Sequence, residues 1–289
     1  CVAVGALVTR AKRRSLTRST MRDVTVELPP IVDEARLSSL GDVVVADVRW
    51  YLDGTDGHAA FVDGHRPGAR WVDLDRWLAG PATAADGRHP FPRAEVFAAG
   101  MRTIGLSDGQ PLVAYDDRLG MVAARLVWML RILGHPAALL DAPWPPDRIE
   151  TGERQVEPGA FATRPWPADR LVSADDVEEA RAVGTTVIDA RSGDRYRGET
   201  EPIDARAGHV PRAINLPFAD NIVDGRFRSA AELRARFDGV GESPIVYCGS
   251  GVSACHDLLA MESVGITGRL YPGSWSQWSA DQNRSGATS

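Results

Sequence analysis

The 289-residue sequence predicts an α/β protein made of two tandem copies of one domain, each a mainly parallel sheet flanked by helices. Three observations carry that reading. Short apolar runs of strand length alternate with segments of helical spacing, the pattern of a parallel sheet covered by helices. The segment Gly64-His65-Arg66-Pro67-Gly68-Ala69 returns as Gly208-His209-Val210-Pro211-Arg212-Ala213. Between them, residues 142–170 hold Pro143, Pro145, Pro146, Pro158, Pro165 and Pro167, and proline at that density continues neither a helix nor a central strand.

At about 150 residues per domain the length also suits two units, each able to bury a core. Residues 1–22 read as a disordered leader, whose first 20 residues hold five basic side chains (Arg10, Lys12, Arg13, Arg14, Arg18) and no acid. Residues 23–141 form the first domain, 142–170 a surface linker, and 171–282 the second domain. In the first, Val43–Asp47 and Leu112–Tyr115 read as strands. Ala94–Ile104 and Met121–Leu133 read as helices stopped by Gly105 and Gly134, with Ala137–Leu140 a further strand. In the second, Ser173-Ala174-Asp175-Asp176 opens a helix as a capping box. Thr186–Arg191 is a strand ending in acid and arginine, as Val45–Arg49 does, and Ser229 opens another helix. Pro244–Val246 is the strand before a cysteine loop.

Composition narrows the function classes. The 44% hydrophobic and 25% charged fractions are those of an ordinary globular protein. A net charge of −6 argues against nucleic-acid or anionic-membrane partners. Three cysteines (Cys1, Cys248, Cys255) cannot build a disulfide framework, which suits a reducing, cytoplasmic compartment.

The chemistry points to Tyr247-Cys248-Gly249-Ser250-Gly251-Val252-Ser253-Ala254. A lone cysteine stands where a strand stops, followed by a glycine-spaced turn and a helix start. Backbone N–H groups and the positive end of a helix dipole then face whatever the sulfur carries. That setting is expected to lower the thiol pKa to roughly 3.5–7.5 from about 8.5. Aligning Pro111–Asp116 with Pro244–Cys248, one residue gapped, superposes the tyrosines and puts Asp116 in the place of Cys248. One copy has a nucleophile and the other has none, so the chemistry belongs to the second half. A cysteine-dependent phosphatase needs an arginine six positions after the cysteine to clamp phosphate, and that position is Ala254.

Together, the repeated strand-Asp-x-Arg and Gly-His-x-Pro-x-Ala elements, the Cys248 loop and the closing Pro272-Gly273-Ser274-Trp275-Ser276-Gln277-Trp278 resemble the two-domain rhodanese family of sulfurtransferases over residues 24–280. The resemblance implies that Cys248 takes sulfur from a small-molecule donor, holds it as a persulfide and passes it to a thiophilic acceptor: cyanide, a thiol or a thioredoxin. No cofactor, metal, nucleic acid or membrane is expected. The Cys-Gly-Ser-Gly loop type is associated in this family with 3-mercaptopyruvate, and a Cys-Arg-Lys-Gly type with thiosulfate. Gly249, Gly251, Val252 and Ser253 are the expected loop contacts. Arg195 matches a substrate arginine, but after Glu201-Pro202 stand Ile203 and Asp204 where a second is expected, which leaves Arg206 as the candidate. A Ser–His–Asp relay is implied at Ser250, His89 and Asp75, the histidine suited to it by a pKa near 6.5. His65 and His209, being in both copies, are read as structural. Trp275 and Trp278 suit either a pocket wall or the core, and Cys255 a buried helix position. Two alternatives stay open, a thiosulfate donor and a non-catalytic persulfide carrier.

Overall fold

The computed structural model describes residues 28–288. The basic leader expected at residues 1–22 lies outside them. The first half runs β1 (Ile31–Val32), α1 (Glu34–Ser39), β2 (Val44–Asp47), α2 (Gly57–Asp63), β3 (Arg70–Trp71), a π-helical turn (Leu74–Leu78), α3 (Ala94–Thr103), β4 (Leu112–Tyr115), α4 (Ala123–Ile132) and β5 (Ala137–Leu140). The second runs α5 (Ala174–Ala182), β6 (Val187–Asp189), α6 (Gly193–Arg197), β7 (Ile214–Asn215), a 3₁₀ turn (Phe218–Asn221), β8 (Ile222–Val223), β9 (Arg226–Phe227), α7 (Ala230–Arg236), β10 (Ile245–Tyr247), α8 (Ala254–Glu262), β11 (Arg269–Leu270) and α9 (Ser274–Ala280).

The first sheet is parallel in the order β1-β5-β4-β2-β3, the second parallel in the order β11-β10-β6-β7. Leu171 bridges in parallel to Leu270 and stands where β1 stands in the first sheet. The strand orders then coincide, β11 for β5, β10 for β4, β6 for β2 and β7 for β3. The second half adds an antiparallel hairpin, β8–β9. β4 and β5 are buried at every position, as central strands covered on both faces must be. Capping boxes open α5 (Ser173 with Asp176) and α7 (Ser229 with Glu232).

The repeated motifs are internal tethers. Arg49 Nη2 donates to Asp47 Oδ2 at 2.9 Å and to Gly64 O at 2.6 Å; Arg191 Nη2 donates to Asp189 Oδ2 and to Gly208 O, both at 2.6 Å. Tyr115 Oη accepts the Arg66 N–H at 2.9 Å, and Tyr247 Oη accepts the Val210 N–H at 3.0 Å. His65 Nδ1 lies 2.9 Å from Phe61 O, and His209 Nδ1 lies 2.7 Å from Tyr196 O. Each pair closes the same loop onto the same sheet edge.

The linker is more than a surface strap. Phe161 is buried edge-on to Phe97, and Trp166 packs against Phe91 and donates from Nε1 to Pro92 O at 2.8 Å. Its aromatic residues anchor a segment that its prolines keep out of regular structure.

One apolar cluster spans both halves, with α4 and α8 meeting at its centre. Among the described residues no helix is long and apolar enough to cross a membrane. Residues 254–261 of α8 are all buried, including Asp257, whose Oδ1 accepts from Asn221 Nδ2 at 2.6 Å. Burial pushes the Asp257 carboxyl from 3.8 up to about 8, against the opposing pull of Arg236 and Asn221. Its folded pKa lies above its unfolded one, so its contribution to stability is full below pH 4 and drains away as pH rises toward 8. In urea unfolding, Asp257→Asn is expected to gain on the wild type by up to ~1.4 kcal/mol per pH unit between pH 4 and 8. A gap that stays constant with pH would show an ionised carboxylate.

Candidate active site

Cys248 follows β10 on the floor of a cleft of about 230 Å³ that both halves line. It is 1% exposed, so access to the thiol is confined to that cleft. Trp50, Leu52, Arg88, His89 and Met121 come from the first half; Arg195, Ile203, Phe218 and the loop residues Gly249, Ser250, Val252 and Ser253 come from the second.

The loop backbone is shaped by its glycines and held by the start of α9. Gly251 has φ +74°, and a Cβ on it would lie 2.6 Å from Pro272 O. Only glycine meets both conditions. Its N–H donates to Cys248 Sγ at 3.2 Å. The Cys248 N–H donates to Ser274 Oγ at 3.2 Å, Trp275 N–H to Cys248 O at 3.0 Å, and Ser276 N–H to Gly249 O at 2.9 Å. Ser274 does this from φ +53°, a strained setting for a residue other than glycine. Trp275 and Trp278 are fully buried in the core and do not line the cleft.

Past Gly251, the N–H groups of Val252, Ser253 and Ala254 are claimed by no protein acceptor among the described residues, nor is that of Ser250. The equivalent turn of the first half is filled by its own side chain. Asp116 Oδ1 accepts from the N–H groups of Arg118 (2.7 Å) and Gly120 (2.8 Å), and Oδ2 accepts from Val122 (2.8 Å) and Ala123 (2.9 Å). The turn is thus an anion cradle in both copies.

Ser250, His89 and Asp75 converge from two domains. His89 Nδ1 is 2.8 Å from Ser250 Oγ. Its Nε2 faces Asp75 Oδ1 at 3.7 Å, longer than a hydrogen bond. Asp75 sits on the π-helical turn and accepts from Trp50 Nε1 at 3.1 Å, and Trp50 stands edge-on to the imidazole at 5.2 Å. The ordinary pKa near 6.5 does not survive this setting. Burial, with the cations Arg125 and Arg88 close by, pushes His89 down to about 3, so the ring is neutral at physiological pH.

The expected cation pair is only half as the sequence suggests. Arg195 lines the cleft, with Nη2 at 2.7 Å from Glu201 Oε1 and 2.9 Å from Asp204 Oδ2. Arg206 does not reach the cleft: its guanidinium donates to the carbonyls of Ser279, Arg284, Trp278 and Asp281 and ties down the end of α9. Cys255 donates to Gly251 O at 3.4 Å, and burial pushes its thiol up to about 12, which fits a packing role.

Sequence reasoning missed Arg125. This fully buried cation in α4 donates to Leu78 O (2.9 Å), Gly251 O (2.9 Å), His89 O (2.8 Å) and Pro90 O (3.3 Å). It joins the cysteine loop to the segment carrying His89. The available signal was a lone charge in the otherwise apolar stretch Met121–Leu130.

Comparison with known proteins agrees with this geometry. The Rhodanese-like domain family matches residues 173–281. A Mycobacterium tuberculosis protein provisionally named as a thiosulfate sulfurtransferase is 39% identical over 272 residues, covering 86% of this chain and 93% of that protein. The 3-mercaptopyruvate sulfurtransferase of Escherichia coli K12 is 35% identical over 255 residues, covering 83% and 90%. The crystal structure of the Escherichia coli 3-mercaptopyruvate sulfotransferase SseA aligns with a TM-score of 0.74 at 29% identity, covering 86% of this chain and 99% of that one. With a cysteine on an anion-cradling turn in one half, an aspartate on its twin in the other, and such likeness over most of its length, this chain belongs to the rhodanese family of sulfurtransferases.

Proposed function

We propose that the chain moves a sulfane sulfur from 3-mercaptopyruvate to a thiophilic acceptor (cyanide, a thiol or a thioredoxin) through a persulfide on Cys248. Residues 171–282 do the chemistry, and the first domain covers the site through Trp50, Leu52, Arg88 and Met121 and supplies His89. The carrying observation is the 2.8 Å contact between Ser250 Oγ and His89 Nδ1. The Cys248 thiolate attacks the donor sulfur, forming the S–S bond as the C–S bond breaks, and that electron pair leaves as the enolate of pyruvate. The donor's thiol proton must end on the methyl carbon, so that Cys–S⁻ and mercaptopyruvate give Cys–S–S⁻ and pyruvate. A serine hydroxyl backed by a neutral imidazole can relay that proton with no net change of charge. Thiosulfate releases sulfite and has no such proton to move. Charge favours the same donor, because Glu201 and Asp204 already offset Arg195 and Arg88, leaving little net field for a dianion. Acceptor attack on the outer sulfur then restores the thiolate.

Two free thiols, Cys248 and Cys255, suit the cytoplasm, where such a persulfide is compatible with the ambient redox poise. Mass spectrometry after incubation with each donor tests the reading. Gain of one sulfur on Cys248 from 3-mercaptopyruvate supports it. Gain from thiosulfate alone transfers the assignment to that donor, and gain from neither favours a carrier loaded by another protein.

A further inference from the structure

We infer that Arg88, from the half without the nucleophile, is the second arginine of the donor's anion clamp, and that the buried Asp204 carboxylate positions it together with Arg195. The inference rests on the reading that an anionic sulfur donor loads Cys248, and it adds which side chains hold the anion. No basic residue follows Glu201-Pro202 closely enough to serve, since Ile203 and Asp204 stand there and Arg206 is spent on α9. Across the cleft, Arg88 enters from the other domain. Gly87, at φ +86°, packs so close to α9 that a Cβ would lie 2.7 Å from Gly273 O, and the Arg88 N–H donates to Ser276 Oγ at 3.1 Å. These contacts anchor the backbone and aim the side chain at the cysteine loop.

The Asp204 side chain is 2% exposed and accepts from both arginines, Oδ1 from Arg88 Nη1 and Oδ2 from Arg195 Nη2. One carboxylate thus sets two guanidinia side by side. The opposite edges of the two guanidinia meet over Gly249. A Cβ on residue 249 would stand 2.9 Å from Arg88 Nη2 and 3.5 Å from Arg195 Nη1. Neither of those nitrogens donates to a protein group among the described residues. Two charged donors therefore converge on one point beside Cys248, the geometry that a carboxylate takes. This also explains the bare loop. Cations absent from positions 249 and 250 are delivered from outside, and a side chain at 249 would press on the Arg88 guanidinium, 2.9 Å from its Cβ.

Ping-pong kinetics separate this clamp from the rest of the machinery. For Arg88→Ala, kcat/KM for 3-mercaptopyruvate is expected to fall roughly ten- to hundredfold, the worth of one charged hydrogen bond. The kcat/KM for cyanide attacking the preloaded persulfide should fall clearly less than that for the donor. Competitive inhibition by pyruvate, a carboxylate with no sulfur to give, should weaken in parallel. Arg88→Lys should recover part of the loss, because it keeps the charge and loses the fork. Asp204→Asn should raise KM for the donor more than it lowers kcat. An unchanged donor kcat/KM in Arg88→Ala overturns the proposal, as does an equal loss in both half-reactions or an Arg88→Lys variant that regains nothing. Wild-type enzyme that takes sulfur from neither donor would instead remove the underlying assignment.

Discussion

Cys248→Ser is expected to lose sulfur transfer on the order of 10⁴-fold or more while keeping its fold. Among the described residues lining the cleft, Cys248 is the one thiol able to hold a second sulfur covalently and release it. Serine would accept the same Gly251 N–H that Sγ accepts at 3.2 Å, so stability should stay within about 1 kcal/mol. Three measurements together check this: donor turnover, intact mass after donor treatment, and a urea midpoint. Persistent turnover in the variant would mean that sulfur travels by another residue, and the persulfide mechanism would be lost with it.

Arg125→Met should be the costliest single change outside the nucleophile. The substitution keeps much of the volume and removes every donor, leaving the carbonyls of Leu78 and His89 without a donor in a buried interface, while Gly251 O keeps Cys255 Sγ and Pro90 O keeps the Gly80 N–H. Carbonyls so stranded cost about 1–3 kcal/mol each, and with partial relaxation a total of roughly 3–5 kcal/mol is expected. The loss should also reach activity, since Gly251 and His89 are tied to the same guanidinium. Donor turnover, measured where the variant is still folded, should fall with the urea midpoint. A loss below about 1 kcal/mol would mean that the interface resatisfies those carbonyls, and Arg125 would not be what aligns the two loops.

Much of the fold is readable from the chain because its information is local. The strands at Leu112–Tyr115 and Ala137–Leu140 are apolar runs of the right length, and the helices at Ser173 and Ser229 carry their caps within four residues. The duplication follows from two Gly-His-x-Pro segments that each dock on a tyrosine hydroxyl. The nucleophile is legible too, as a cysteine between a strand and a glycine-spaced turn. What escapes is whatever depends on the two domains meeting. Arg88 reaches Asp204 across 116 positions, and Arg125 reaches Gly251 across 126. No spacing rule foresees either. The titration of His89 was misjudged for the same reason: its pKa is set by burial between domains and by cations distant in sequence. Arg206 was assigned by proximity to the Glu-Pro pair, while its position in space belongs to the end of α9.

The Asp116 turn carries a thermodynamic consequence for the working one. Its four N–H groups close on a carboxyl that is permanently attached, so that turn is filled in every state of the cycle. On the reading proposed above, the Cys248 turn carries a negative charge before and after loading, and loading moves that charge outward from Sγ to the terminal sulfur of Cys–S–S⁻. Loading thereby brings the charge toward the N–H groups of Ser250, Val252, Ser253 and Ala254, which have no protein acceptor among the described residues. The loaded form is therefore expected to unfold at higher urea than the free enzyme, and equal midpoints would show that the terminal sulfur does not sit in the turn.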